Sequence, residues 1–187
     1  MLFFFFFIIS PLIMATKADF NVSYLNVCPT SPEVVSGNVI NKNVHPVKNI
    51  FSGDRKDWLF NLNSIASDYG QFIIDRGCSS AVNGVMIINT ENDMRSSKKV
   101  RVLVSNSLLD NSWIEVVLQG DLPDTTNCLL RDDCYSMAKL YYSFSTRFVR
   151  YVKLQVLEIH PTTKHGSVGG GLMKFDILFD IIVEGIW

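Results

Sequence analysis

Two short apolar runs between Gly70 and Thr90, Phe72-Ile73-Ile74 and Val85-Met86-Ile87-Ile88, constrain this chain more than any other feature. Both are brief, rich in β-branched residues and closed by turn chemistry, so each reads as a buried strand rather than a helix. Asp75-Arg76-Gly77 ends the first run. Asn83-Gly84, a dipeptide that tolerates the positive φ of a tight turn, leads into the second. The chain must therefore build a sheet.

The remaining sequence repeats that grammar. Lys98 to Ser105 alternates, with Val100, Val102 and Val104 on one face and Lys99 and Arg101 on the other. Trp58-Leu59-Phe60 reads as a short aromatic strand with Trp58 in the core, and Trp113 to Leu118 resumes sheet. Arg147 to Ile159 is the longest strand predicted, with Val152, Leu154 and Val156 pointing inward. Extending its alternation backwards turns Phe148 and Arg150 inward too, so either a bulge shifts the register or the guanidinium is buried with a partner. Met173 to Val183 closes the sheet, and Gly169-Gly170-Gly171 before it lets backbone pass close to a neighbouring strand. No segment sustains a helical period and no repeat is present. Short strands at near-regular spacing, joined by turn-rich loops, predict an all-β antiparallel sandwich or jelly roll.

The 187 residues suffice for one well-buried domain. A net charge of −1 argues against an electrostatic grip on nucleic acid, and Lys98, Lys99 and Arg101 form only a local cluster that reads as a solvated strand face. Residues 1–18 stand apart in composition. Their apolar run of about a dozen residues matches a signal-peptide core and is too short for a bilayer of about 30 Å. Cleavage is expected after Ala18, with a retained membrane anchor as the competing reading. Residues 19–42 follow as an irregular lead carrying Asn21-Val22-Ser23, an N-glycosylation acceptor. The sheet domain occupies residues 43–187.

Secretion favours pairing of Cys28, Cys78, Cys128 and Cys134. A local Cys128–Cys134 bridge would leave Cys28 with Cys78, although the sequence does not choose among the connectivities. Zinc is disfavoured because no pair has C-x-x-C spacing. Asp54 and Asp57 flank a turn whose oxygens suit calcium, so a structural calcium is the one cofactor expected, against a plain solvated turn. Signals for catalysis are missing. His165 stands where the first glycine of G-x-S-x-G should be, and the triple glycine lacks the G-x-G-x-x-G spacing of a dinucleotide site. The expectation is a binding protein, not an enzyme.

The order of these pieces resembles the discoidin, or coagulation-factor C-type, domains of the galactose-binding-like jelly-roll superfamily. The likeness rests on the turn before Trp58, QFIIDRG at Gln71 to Gly77, Val82 to Thr90, KKVRVLVSNS at Lys98 to Ser107 followed by Trp113, RFVRYVKLQV at Arg147 to Val156, and the glycine-led last strand. It covers about Asn43 to Phe179. The resemblance implies a secreted, extracellular recognition module that binds through loops at one end of the barrel. The fucose-lectin branch of the family reads sugar with a histidine and two arginines, and His45, Arg55 and Arg95 lie in comparable loops. Asn92 and Arg95 in one loop, with Lys164 and His165 in another, add amide and cationic groups suited to sugar hydroxyls or acidic glycans. Carbohydrate on glycoconjugates or cell surfaces is the expected partner. A structural or protein-binding domain of the extracellular space, or an accessory module of a carbohydrate-active enzyme, is the alternative.

Overall fold

The computed structural model describes residues 28, 31–39, 42–52, 56–61, 70–90, 95–125, 138–161 and 169–179, all inside a unit spanning residues 25–180. Seven strands follow in order: β1 (Glu33–Gly37), β2 (Trp58–Leu59), β3 (Gly70–Asn89), β4 (Ser97–Ser105), β5 (Ile114–Asp121), β6 (Lys139–Ile159) and β7 (Gly171–Leu178). They hydrogen-bond in the order β2-β7-β3-β6-β4-β5, with β1 also on β3, and every named pair is antiparallel.

A straight strand as long as β3, 20 residues, would run roughly 65 Å. It bends instead. Gly77 adopts φ 79°, and the β3–β6 register shifts between Asp75 and Ser80. The first part of β3 pairs with β1 and the C-terminal part of β6, which carries β4 and β5; the second part pairs with β7 and the N-terminal part of β6. Two strands thus wrap from one layer into the other. The core between the layers joins Phe72, Val102 and Leu154 from one to Val85, Ile87 and Phe175 from the other, with Trp58 and Phe60 closing one end. Phe72 meets Trp58 edge-on at 4.9 Å and Phe175 at 5.3 Å between ring centroids. This is the antiparallel sandwich that the strand pattern predicts.

Several local expectations change. Asn83-Gly84 is no turn: both residues lie inside β3, and the two apolar runs belong to one strand. Because β3 crosses between layers, the bend falls at Gly77, whose lack of a Cβ admits the left-handed backbone. The lead expected to be irregular contains β1, in register with Phe72 to Asp75 of β3. The longest strand begins at Lys139, not Arg147. Phe148 points outward and is 60% exposed, while Val149 and Val152 are both buried, three residues apart where strict alternation would need two or four. A bulge resets the face, and Arg150 stays half-exposed in a bidentate pair with Asp75 at 2.8 and 2.9 Å.

Other expectations match. The inward faces of β4 and β6 are those predicted, with Val100, Val102, Val104, Val152, Leu154 and Val156 buried. Lys98 and Lys99 each reach Glu158 at 3.0 Å, and Arg101 reaches Glu115 at 2.9 Å, so the basic cluster is a cross-strand charge ladder. The glycine run does bring backbones together. A Cβ on Gly169 would lie 1.8 Å from the Phe60 carbonyl oxygen, and the Phe60 amide donates to Gly170 O at 2.9 Å. Cys28 is bonded to Cys78, whereas Cys128 and Cys134 lie outside the described residues. No described helix is long and apolar enough to cross a membrane.

Candidate functional site

The wrapped ribbon sends chain ends to one rim. Gly70 pairs opposite Val156, Asn89 closes the far end of β3, and Ser97 opens β4 opposite Ile159. Ser96 bridges Gly171, the His160 amide donates to Ser96 O at 2.9 Å, and the Asn89 amide donates to Ala138 O at 3.0 Å. The connections leaving β2, β3, β5 and β6 therefore start from the same rim, as does the approach to β2.

A polar cluster occupies this rim. Asp57, just before β2, accepts from His45 Nδ1 at 2.7 Å on one carboxylate oxygen and from the Thr90 hydroxyl at 3.0 Å on the other. A carboxylate only accepts, so the imidazole carries a proton on Nδ1 and turns its second nitrogen, Nε2, to other partners. Asn49, on the 3-10 turn Val47–Phe51, fixes both ends of the loop, donating to Asp57 O at 2.8 Å and Val44 O at 3.1 Å. Arg95 donates through Nη1 to Phe60 O at 3.1 Å. Burial pushes its guanidinium below the usual arginine range while the nearby Asp57 charge pulls it back up.

Below these groups lies a buried scaffold. Asn89, fully buried, places its Nδ2 at 2.7 Å from Ser97 O, 2.9 Å from Pro123 O and 3.0 Å from Ser96 Oγ. Its Oδ1 accepts from the amides of Thr90 and Ser97 at 3.0 and 3.1 Å. Thr125 donates to Thr90 O at 2.6 Å. With so many partners, Asn89 holds the residues that flank both Thr90 and Arg95.

Of the sequence-predicted site residues, His45 and Arg95 reach the same rim: His45 donates to Asp57, while Arg95 donates to Phe60 O within reach of the Asp57 charge. Arg55, Asn92, Lys164, His165, Asp54 and Asn21 lie outside the described residues. Asp57, expected as a calcium ligand, engages His45 and Thr90 instead of standing open as a solvated carboxylate. The sequence reading passed over Asn49, Asn89, Thr90 and Thr125. The only signal was their place at the ends of apolar segments, which polar loop residues share. The third histidine, His160, reaches the same rim and is held by Leu122 O at 3.0 Å. Trp58 is fully buried, and Trp113 is half-buried with Lys153 Nζ 4.0 Å above its ring, so neither is an open stacking platform at this rim.

The sequence matches no protein-family model, and no curated protein matches it. Solved structures do resemble its fold. CpGH89CBM32-5 from Clostridium perfringens, solved in complex with GalNAc-β-1,3-galactose, is 14% identical, with 79% of this chain and 93% of that chain covered and a TM-score of 0.55. The family 32 CBM from C. perfringens NanJ, solved in complex with galactose, is 10% identical over 79% of this chain and 91% of that one, TM-score 0.53. Chitosan-binding module 1 from a chitosanase/glucanase of Paenibacillus sp. IK-5 is 16% identical over 82% and 98%, TM-score 0.54. The strand order, the two layers and these likenesses together show the antiparallel jelly-roll fold that these carbohydrate-binding modules have.

Proposed function

We propose that this chain is a secreted carbohydrate-binding module without chemistry of its own, and that it reads sugar at the His45–Asp57–Arg95 rim. The observation that carries the proposal is the preset pairing of His45 and Thr90 on one carboxylate beside a partly buried guanidinium. Sugar hydroxyls need fixed donors and acceptors close together. His45 has a second polar ring nitrogen besides the one given to Asp57, and among the described residues Arg95 has N–H groups beyond the one given to Phe60. The scaffold around Asn89 fixes these positions before a ligand arrives, which limits the entropy lost on binding. The resemblance to modules solved with galactose and GalNAc-β-1,3-galactose supports this reading and selects the probes.

Isothermal titration of the purified chain with both sugars, backed by a glycan array with calcium present, tests the proposal. Binding of a neutral sugar is expected, weakened about tenfold or more by His45→Ala and by Arg95→Gln, as for loss of a charge-assisted hydrogen bond. Silence across neutral and acidic sugars, or unchanged binding in both variants, would overturn it.

A further inference from the structure

A groove with apolar and polar walls lies at the opposite end of the sandwich. β4 has nine residues, so its Ser105 end stands roughly 26 Å from its Ser97 end. The groove, about 470 Å³, is lined by Asn106, Ser107, Ser112, Ile114, Arg147 and Phe148 among others. That volume falls within the range of about 300–1,000 Å³ usual for small-ligand sites. Its walls are fixed. Asn106 accepts from Ser79 Oγ at 2.6 Å and donates to Phe148 O at 2.8 Å, and the Ser112 hydroxyl lies 2.8 Å from Ser105 Oγ and 2.6 Å from Leu109 O.

Two features point to a ligand class. Arg147 is exposed, has no hydrogen-bond or ion-pair partner among the described residues, and is the only charged residue lining the groove. The nearest arginine in sequence differs, since Arg150 is already locked to Asp75. Beside Arg147, the Phe148 ring is 60% exposed, although a register without the bulge would have turned it into the core. A free planar guanidinium forks onto a carboxylate, and an open ring offers a face for the C–H side of a pyranose. Serine and asparagine groups on the wall suit hydroxyls. We propose that this groove is a second binding site, for a sugar that carries a carboxylate, and that it is independent of the His45 rim.

Carboxylates reach sugars as a terminal sialic acid or as an in-chain hexuronic acid, and the test separates the two. The folded chain is titrated with 3′-sialyllactose, with a glucuronate-containing disaccharide and with lactose, followed by amide chemical shifts and calorimetry. At least one acidic sugar should move the amides of Asn106, Ser107 and Arg147, and which one does so identifies the source. Arg147→Gln should weaken that sugar about tenfold or more, and Phe148→Ser should weaken it too, while Arg95→Gln leaves it unchanged. Arg147 is exposed and has no partner among the described residues, so its variant should keep the thermal midpoint of the parent. Failure of both acidic sugars to bind, binding that survives Arg147→Gln, or lactose binding the groove equally well would overturn the proposal. Loss of the His45-rim activity alone leaves these readouts intact.

Discussion

Replacing Cys28 and Cys78 together by serine should cost this fold more than most core substitutions. The bridge spans a sequence separation of 50 residues, and the chain-entropy relation for a loop of that size gives about 4 kcal/mol at 25 °C. The structure explains why little else would compensate. Cys28 leads into β1, whose five residues are mostly exposed and whose partner strand is β3. Only Val34 of β1 packs on the main core. Cys78 sits one residue past Gly77, where β3 crosses between layers, so the bond pins the lead to the bend in β3. Urea unfolding of the double variant should show a loss near 4 kcal/mol, equivalent to roughly 8–16 °C in Tm. Amide exchange should also show β1 unprotected while β4 stays protected. Serine variants are preferable to a reductant, which would act on Cys128 and Cys134 as well. A loss under about 1 kcal/mol, or a β1 that keeps its protection, would refute the view that the bridge holds the lead in place.

Three further outcomes follow from the packing and the charges. Phe72→Ala removes a fully buried ring that touches both Trp58 and Phe175, and should lower stability by about 3–5 kcal/mol in denaturant titration. Gly169→Ala forces a methyl onto the Phe60 carbonyl; a loss of about 1–3 kcal/mol is expected, with weaker sugar binding because Phe60 O also anchors Arg95. The hydrogen bonds from Arg150 hold the Asp75 carboxyl below the usual carboxylate range, against a smaller opposing effect of burial. Its folded value lies below its unfolded one, so the pair's contribution is complete above about pH 4 and disappears as pH falls through the folded value. The pair is partly exposed, so solvent screening keeps the effect small; Arg150→Met should flatten the fall of the urea midpoint over that acid range, and an unchanged slope would count against the pair.

Much of the architecture was legible in the sequence because the inward faces of β4 and β6 are period-two patterns of valine and leucine, which only a half-buried strand satisfies. The glycine run before β7 was equally readable, since adjacent residues without a Cβ imply close backbones. Long-range geometry was not. Asn83-Gly84 has the composition of a turn, but it sits inside β3 at a register shift, where Gly84 pairs with Ser143 on one side and Leu178 on the other. Phe148 looked inward because alternation carries no record of a bulge. At the rim, His45 and Arg95 were recognisable from a family resemblance. Asp57 as the partner of His45 was not, because His45, Asp57 and Thr90 meet only after β2 and β3 are placed. Asn89 was hidden for a related reason: a buried asparagine that satisfies five partners reads in sequence like any asparagine at a strand end.

The long hairpin-like ribbon of β3 and β6 has a consequence for how the domain comes apart. Each sheet borrows half of the same two strands, so neither can melt while the other survives, and no proteolytic fragment corresponding to a single sheet should persist. Joining residues near position 70 to those near 156 also requires much of the polypeptide to be synthesised before β3 and β6 can pair, which makes completion of the sheet slow and late. A cell producing this protein would have to shield the two apolar runs of β3 until β6 emerges.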